Sequence, residues 1–138
     1  MNQRGFATLE VILMVMVIGI LASIAVPRFT SVTAAANTAK IQSDLSTIDT
    51  AIAVYQMEKG SAPSGDISVL KDYIRGAEDL KPPTGKCFIE GEEKDVPTGD
   101  YAITASTNES NESETRATLG GNTAEKFYTQ KKSNSTNT

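Results

Sequence analysis

The sequence predicts an α+β fold, in which a long N-terminal α-helix carries a small antiparallel β-sheet packed on its C-terminal half. The first half of this helix is predicted to be transmembrane and the second half amphipathic. Three observations support the prediction. An apolar run extends from Val11 to Val26, an apolar stripe at helical spacing recurs between residues 41 and 55, and short strand-like runs separated by glycine and proline turns follow Gly60.

The N-terminal apolar segment is long enough to cross a membrane. From Phe6 to Val26 the only ionisable side chain is Glu10. A run of about 20 apolar residues matches the ~30 Å hydrocarbon core of a bilayer. A single segment can satisfy its backbone hydrogen bonds in lipid only as a helix. We therefore predict a transmembrane helix over residues 6–27.

Glu10 is unusual inside such a segment. A carboxylate deep in a membrane helix costs roughly 2.5–3.5 kcal/mol on insertion scales, so it indicates a functional site with a partner. The apolar run contains no cation, and Arg4 is the nearest one in the sequence. Two interpretations follow: Glu10 pairs with a charge brought by another molecule, or it extends to the membrane interface near the helix end.

Helical periodicity resumes beyond Pro27. The apolar stripe consists of Ile41, Leu45, Ile48, Ile52 and Tyr55, with Val32 and Ala39 extending it towards the N-terminus. We predict that Pro27 kinks the helix and that an amphipathic half follows over residues 28–59, because a proline removes one hydrogen bond. The alternative is a helix that ends at Val26. Lys59 and Gly60 mark the predicted end.

Residues 60–129 are predicted to form a loop and a small sheet. Asp66 or Ser68 is expected to cap a short helix that Gly76 ends. The strand-like runs are residues 86–90, 100–106 and 115–119, with a weaker one at 126–129. The acidic stretch Glu90–Asp100 is predicted to be a solvated loop, with a calcium site as the alternative. Residues 130–138 are all polar and predicted to be disordered.

Composition argues against most catalytic chemistry. The 138 residues include no histidine, which removes the commonest general base and metal ligand. Cys87, the single cysteine, cannot form an intrachain disulfide and is predicted to be a buried small hydrophobe. The net charge of -4 argues against nucleic-acid binding. We predict no enzyme activity, no cofactor and no metal site.

One motif resembles a known family. Gly5-Phe6, then Thr8-Leu9-Glu10 and an apolar run ending in Pro27, resemble the processing site and N-terminal helix of type IV pilins and type II secretion pseudopilins. The family usually has threonine where this chain has Ala7. The resemblance implies that residues 1–5 are a leader, that a prepilin peptidase cleaves between Gly5 and Phe6, and that it methylates the Phe6 amine.

The resemblance also implies a function. Glu10 would pair with the Phe6 ammonium of a neighbouring subunit, and the chain would be a structural subunit of a helical filament. Expected partners are other copies of the chain, the prepilin peptidase, an inner-membrane assembly platform with its cytoplasmic ATPase, and membrane lipid before assembly. The expected location is the inner membrane, in a single pass with the N-terminus inside, and then a filament. The alternative is a single-span anchored binding module that forms no fibre.

Overall fold

The computed structural model describes residues 3–107 and 113–130, except for the side chains of residues 26–28 and 106–107. A single α-helix, α1, extends over Gln3–Lys59. Five strands follow: β1 (Gly65–Asp66), β2 (Lys86–Ile89), β3 (Glu92–Asp95), β4 (Ala102–Thr107) and β5 (Ser113–Thr118). Three short 3-10 helices cover Ile67–Leu70, Ala77–Asp79 and Ala124–Lys126. The predicted disordered tail lies outside the described residues from residue 131 onwards.

The helix is continuous through Pro27, so the alternative in which it ends at Val26 is wrong. A proline removes one backbone N–H donor but does not prevent the following turns from forming. The kink predicted at Pro27 stays a prediction. The α+β class is confirmed, with one long helix followed by a small antiparallel sheet.

The chain divides into two compact units, Met1–Thr33 and Ala34–Thr138. The core lies in the second unit, where Ile41, Leu45, Ile48 and Ile52 are at most 2% exposed. The stripe predicted from their spacing is thus confirmed. Its predicted extension is wrong, since Val32 is 66% exposed and Ala39 is exposed. Ala34 and Thr38 continue it instead, because a step of three residues back from Ile41 leads to Thr38 and a further step of four leads to Ala34.

The strands form two sheets rather than the single sheet predicted. One has the order β1-β4-β5 and the other pairs β2 with β3, all antiparallel. The two sheets and their flanking segments contribute further residues to the core that the helix stripe begins: Cys87, Ile89, Tyr101, Ile103, Ala117, Leu119 and Phe127. The predicted packing of the sheet on the second half of the helix is therefore confirmed.

Strand β3 corrects the prediction of a solvated loop between residues 90 and 100. The register places Ile89 opposite Glu92, which leaves Glu90 and Gly91 as a two-residue hairpin turn. Both have positive φ angles, 55° and 80°, as a type I′ turn requires. The acidic side chains nearby contact lysines, with Lys86 Nζ 3.1 Å from the Glu93 carboxylate. The described residues contain no group of three or more histidine, cysteine or acidic side chains suited to a metal ion.

The strand predicted at residues 126–129 is also wrong. A 3-10 helix over Ala124–Lys126 turns the chain so that Phe127 is fully buried. The backbone still meets the hairpin turn, since the Glu90 amide donates to the Lys126 carbonyl at 2.7 Å. The predicted cap at Asp66 is confirmed, because its carboxylate accepts from the Ser68 amide at 3.1 Å. The helix that it caps is a 3-10 turn.

Candidate functional site: the exposed N-terminal helix

The first unit presents an apolar surface, on which the large side chains that the structure describes are exposed. Its large hydrophobic side chains are each at least 51% exposed: Phe6, Leu9, Val11, Ile12, Leu13, Met14, Val15, Met16, Val17, Ile18, Ile20, Leu21, Ile24, Phe29 and Val32. The most apolar 18-residue window of α1 has a mean hydropathy of 2.7 and is 0% buried. By length and composition this part of α1 can cross a membrane. An exposed apolar surface of this extent indicates a membrane or a protein partner.

Glu10 lies on this apolar surface. It shares a shallow groove with Leu13, Met14, Val17 and Ile18, which follow it at helical spacing on one face. Its side chain is exposed and makes no ion pair within the described ranges. A carboxylate here can contact water, a lipid headgroup or a charge from another molecule.

Arg4 is poorly placed to neutralise Glu10. Six residues along an α-helix correspond to about 9 Å of rise and about two-thirds of a turn beyond one full turn. The two side chains therefore lie on different faces of α1. Phe6, by contrast, is four residues before Glu10, so its backbone nitrogen lies on the same face, one turn away. A positive charge on the Phe6 backbone nitrogen would thus lie on the face of α1 that carries Glu10.

Gly5 has no role in the packing of this chain. A Cβ built on it meets no atom within 4 Å, and the residue is helical. Glycine in a helix costs about 1 kcal/mol relative to alanine. The fold itself therefore gives no reason for glycine at this position, and the same holds for Gly19.

Pro27 interrupts the helical hydrogen-bond ladder without ending the helix. Its backbone lies within α1, and its side chain is outside the described part. In the preceding turn, the Ser23 hydroxyl donates to the Ile20 carbonyl at 2.7 Å. Thus all four residues predicted to be functional, Gly5, Phe6, Glu10 and Pro27, lie on α1.

Sequence reasoning missed the polar contacts that hold the sheet on α1 in the second unit. The Asp49 carboxylate accepts from the Ala117 amide at 2.7 Å and from Arg116 Nε at 3.1 Å. The Arg116 guanidinium also donates to Glu125 at 2.8 Å. This hydrogen bond and the nearby Asp49 raise the pKa of Arg116, although burial opposes the shift. Asp49 therefore supplies the hydrogen-bond acceptor for an amide of the edge strand β5, and it forms a partly buried ion pair with Arg116.

Two further α1 side chains bind the sheet region. The Tyr101 hydroxyl donates to Asp44 at 2.7 Å, and burial together with this hydrogen bond raises the pKa of Tyr101. Thr38 Oγ1 accepts from the Phe88 amide at 2.7 Å while it donates to the Ala34 carbonyl. The helical spacing of Thr38, three residues before Ile41, is a signal that could have identified it from the sequence.

Cys87 has the role expected of it. The side chain is fully buried in the core, and burial raises the pKa of its thiol. A thiol that stays protonated is a poor nucleophile. The prediction of a small buried hydrophobe is thus confirmed.

Known proteins similar to this chain are pilus and pseudopilus subunits. It is 33% identical over 66 residues to the type IV narrow pilus major component PilA5 of Thermus thermophilus. The aligned residues make up 48% of this chain and 57% of that protein. It is 32% identical over 63 residues to the type II secretion system core protein G of Klebsiella michiganensis, covering 46% and 44%. The core protein G of Pectobacterium carotovorum subsp. carotovorum is equally similar, with coverage of 46% and 40%.

The chain spans about half the length of the curated relatives it matches. No protein-family model matches it, and no solved structure does. The similarity nevertheless agrees with the observed architecture, a long apolar N-terminal helix followed by a small sheet. The α+β fold is therefore pilin-like, and the apolar helix fits a membrane-anchored subunit.

Proposed function

We propose that this chain is a structural subunit of a type IV pilus-like or type II secretion pseudopilus filament. The observation that carries the proposal is the apolar surface of residues 6–24, exposed on every side and interrupted by the single carboxylate of Glu10. A helix that is hydrophobic all round needs lipid or other helices around it. A filament subunit uses both, first in the membrane and then in the fibre. The similar proteins are structural subunits, which supports a protein without catalytic activity.

Processing precedes assembly in this proposal. A prepilin peptidase removes residues 1–5 by cleaving between Gly5 and Phe6, and it methylates the new Phe6 amine. The lack of any packing role for Gly5 supports recognition from outside the chain. The mature chain then begins at Phe6 with a positive charge one turn before Glu10.

Assembly uses the charge on Glu10. In a filament, the carboxylate pairs with the Phe6 ammonium of a neighbouring subunit. An unpaired buried charge is destabilising by about 3–5 kcal/mol, so the pair fixes the register of the subunits. A head-to-tail contact of this kind does not close on itself and therefore generates an open filament.

The proposed organisation follows from these roles. Residues 6–27 span the inner membrane with the N-terminus inside, and Pro27 kinks the helix. Residues 28–59 form the amphipathic half, residues 60–129 the head, and residues 130–138 a disordered tail. An inner-membrane assembly platform and its cytoplasmic ATPase extract the subunit from lipid into the filament.

One experiment tests processing and assembly together. Intact-mass measurement of the membrane-extracted chain is expected to show loss of Met1–Gly5 and gain of one methyl group. Filaments sheared from the cells are expected to contain the wild-type chain and to lack Glu10→Ala, with both chains equally abundant in the membrane. Glu10→Asp keeps the charge and is the matched control, expected to retain part of the yield. A full-length chain in the membrane, with Glu10→Ala behaving like wild type, would instead indicate an anchored binding module.

A further inference from the structure

We draw no further inference here: the strongest candidate, the groove that Pro82, Pro83 and Pro97 line between the turns before β2 and after β3, carries no proposal, because none of the residues that the structure describes shows what covers it.

Discussion

Two of the four tyrosines place their hydroxyls against carboxylates in the second unit. Tyr73 donates to Glu58 at 2.6 Å, and this hydrogen bond raises the pKa of Tyr73 to about 12. Tyr101 donates to Asp44, and burial is the main cause of the raised pKa there. Ionisation of either hydroxyl would put a negative oxygen against a carboxylate, so both resist losing their protons.

This resistance predicts how stability depends on alkaline pH. A group whose pKa is higher in the folded state stabilises the fold fully below its unfolded pKa, which is about 10 for tyrosine. That contribution is lost as the pH rises through the folded pKa, about 12 for Tyr73. We therefore expect the free energy of unfolding to decline above about pH 10, and tyrosinate absorbance to show two groups that titrate late.

The controls for this prediction are the single substitutions Tyr73→Phe and Tyr101→Phe. Each is expected to remove one late-titrating group from the absorbance curve of the detergent-extracted chain. In urea, all tyrosines are expected to titrate together near the ordinary value. Four tyrosines that ionise together in the folded chain would contradict the assigned hydrogen bonds.

At the scale of elements, the second half of α1 was largely predictable from spacing and the first half from the length of its apolar run. Ile41, Leu45 and Ile48 recur with the helical period. This period appears beyond Pro27, where the composition changes from membrane-type to amphipathic. The extension towards Val32 failed because apolar character was followed in place of spacing. Thr38 holds the stripe position by satisfying the Phe88 amide, which a search for apolar residues cannot find.

The strands divide into those with an apolar alternation and those without. β4 contributes Ile103 to the core and follows the buried Tyr101, an alternation that was predictable. β5 has one apolar residue, Ala117, although a strand was predicted over residues 115–119. β3 has the sequence Glu-Glu-Lys-Asp and is exposed throughout, so its pairing comes from the turn at Glu90 and Gly91. The aromatic pair Phe127-Tyr128 looked like a strand, yet Phe127 is buried by a 3-10 turn.

The roles of Gly5, Phe6 and Glu10 stay predictions, which were drawn from one short segment of the sequence. The contact of Asp49 with Arg116 could not be predicted, because the two residues are 67 positions apart in the chain. No local pattern specifies which acidic residue on the helix meets which strand amide. That information resides in how the sheet packs on α1.

The contact between α1 and β5 predicts how a substitution at Asp49 affects the stability of the second unit. Asp49→Ala leaves the Ala117 amide without its acceptor and removes one carboxylate from Arg116. We expect the free energy of unfolding to decrease by roughly 2 kcal/mol, because a hydrogen bond to a charged group contributes about 1.5–3 kcal/mol. Denaturant titration of the detergent-extracted chain, followed by tyrosine fluorescence, measures it. All four tyrosines lie in the second unit, so the signal reports on that unit.

Asp49→Asn keeps one acceptor oxygen and is expected to lose less stability than Asp49→Ala. Asp72→Ala is the matched control, since Asp72 is exposed and its removal takes away the same charge. A loss for Asp49→Ala no greater than that for Asp72→Ala would show that the contact does not hold the sheet on the helix.

At the scale of the whole molecule, α1 belongs to two units with opposite surface requirements. In the described part of Met1–Thr33 the large apolar side chains are exposed, whereas every residue of the hydrophobic core described above lies in Ala34–Thr138. We therefore expect the second unit to be stable on its own core. A unit of about 100 residues is large enough to fold on its own core.

The division predicts that a chain starting at Ala34 folds in water without detergent. Its helix retains the stripe from Ile41 to Ile52 and the sheet retains its partners, so cooperative thermal unfolding by circular dichroism is expected. The Ala34 chain carrying Leu45→Asp is the control, because it buries a charge at a position with 0% exposure and is expected not to fold. If the Ala34 chain itself unfolds without cooperativity, or dissolves only in detergent, then the second unit depends on the first.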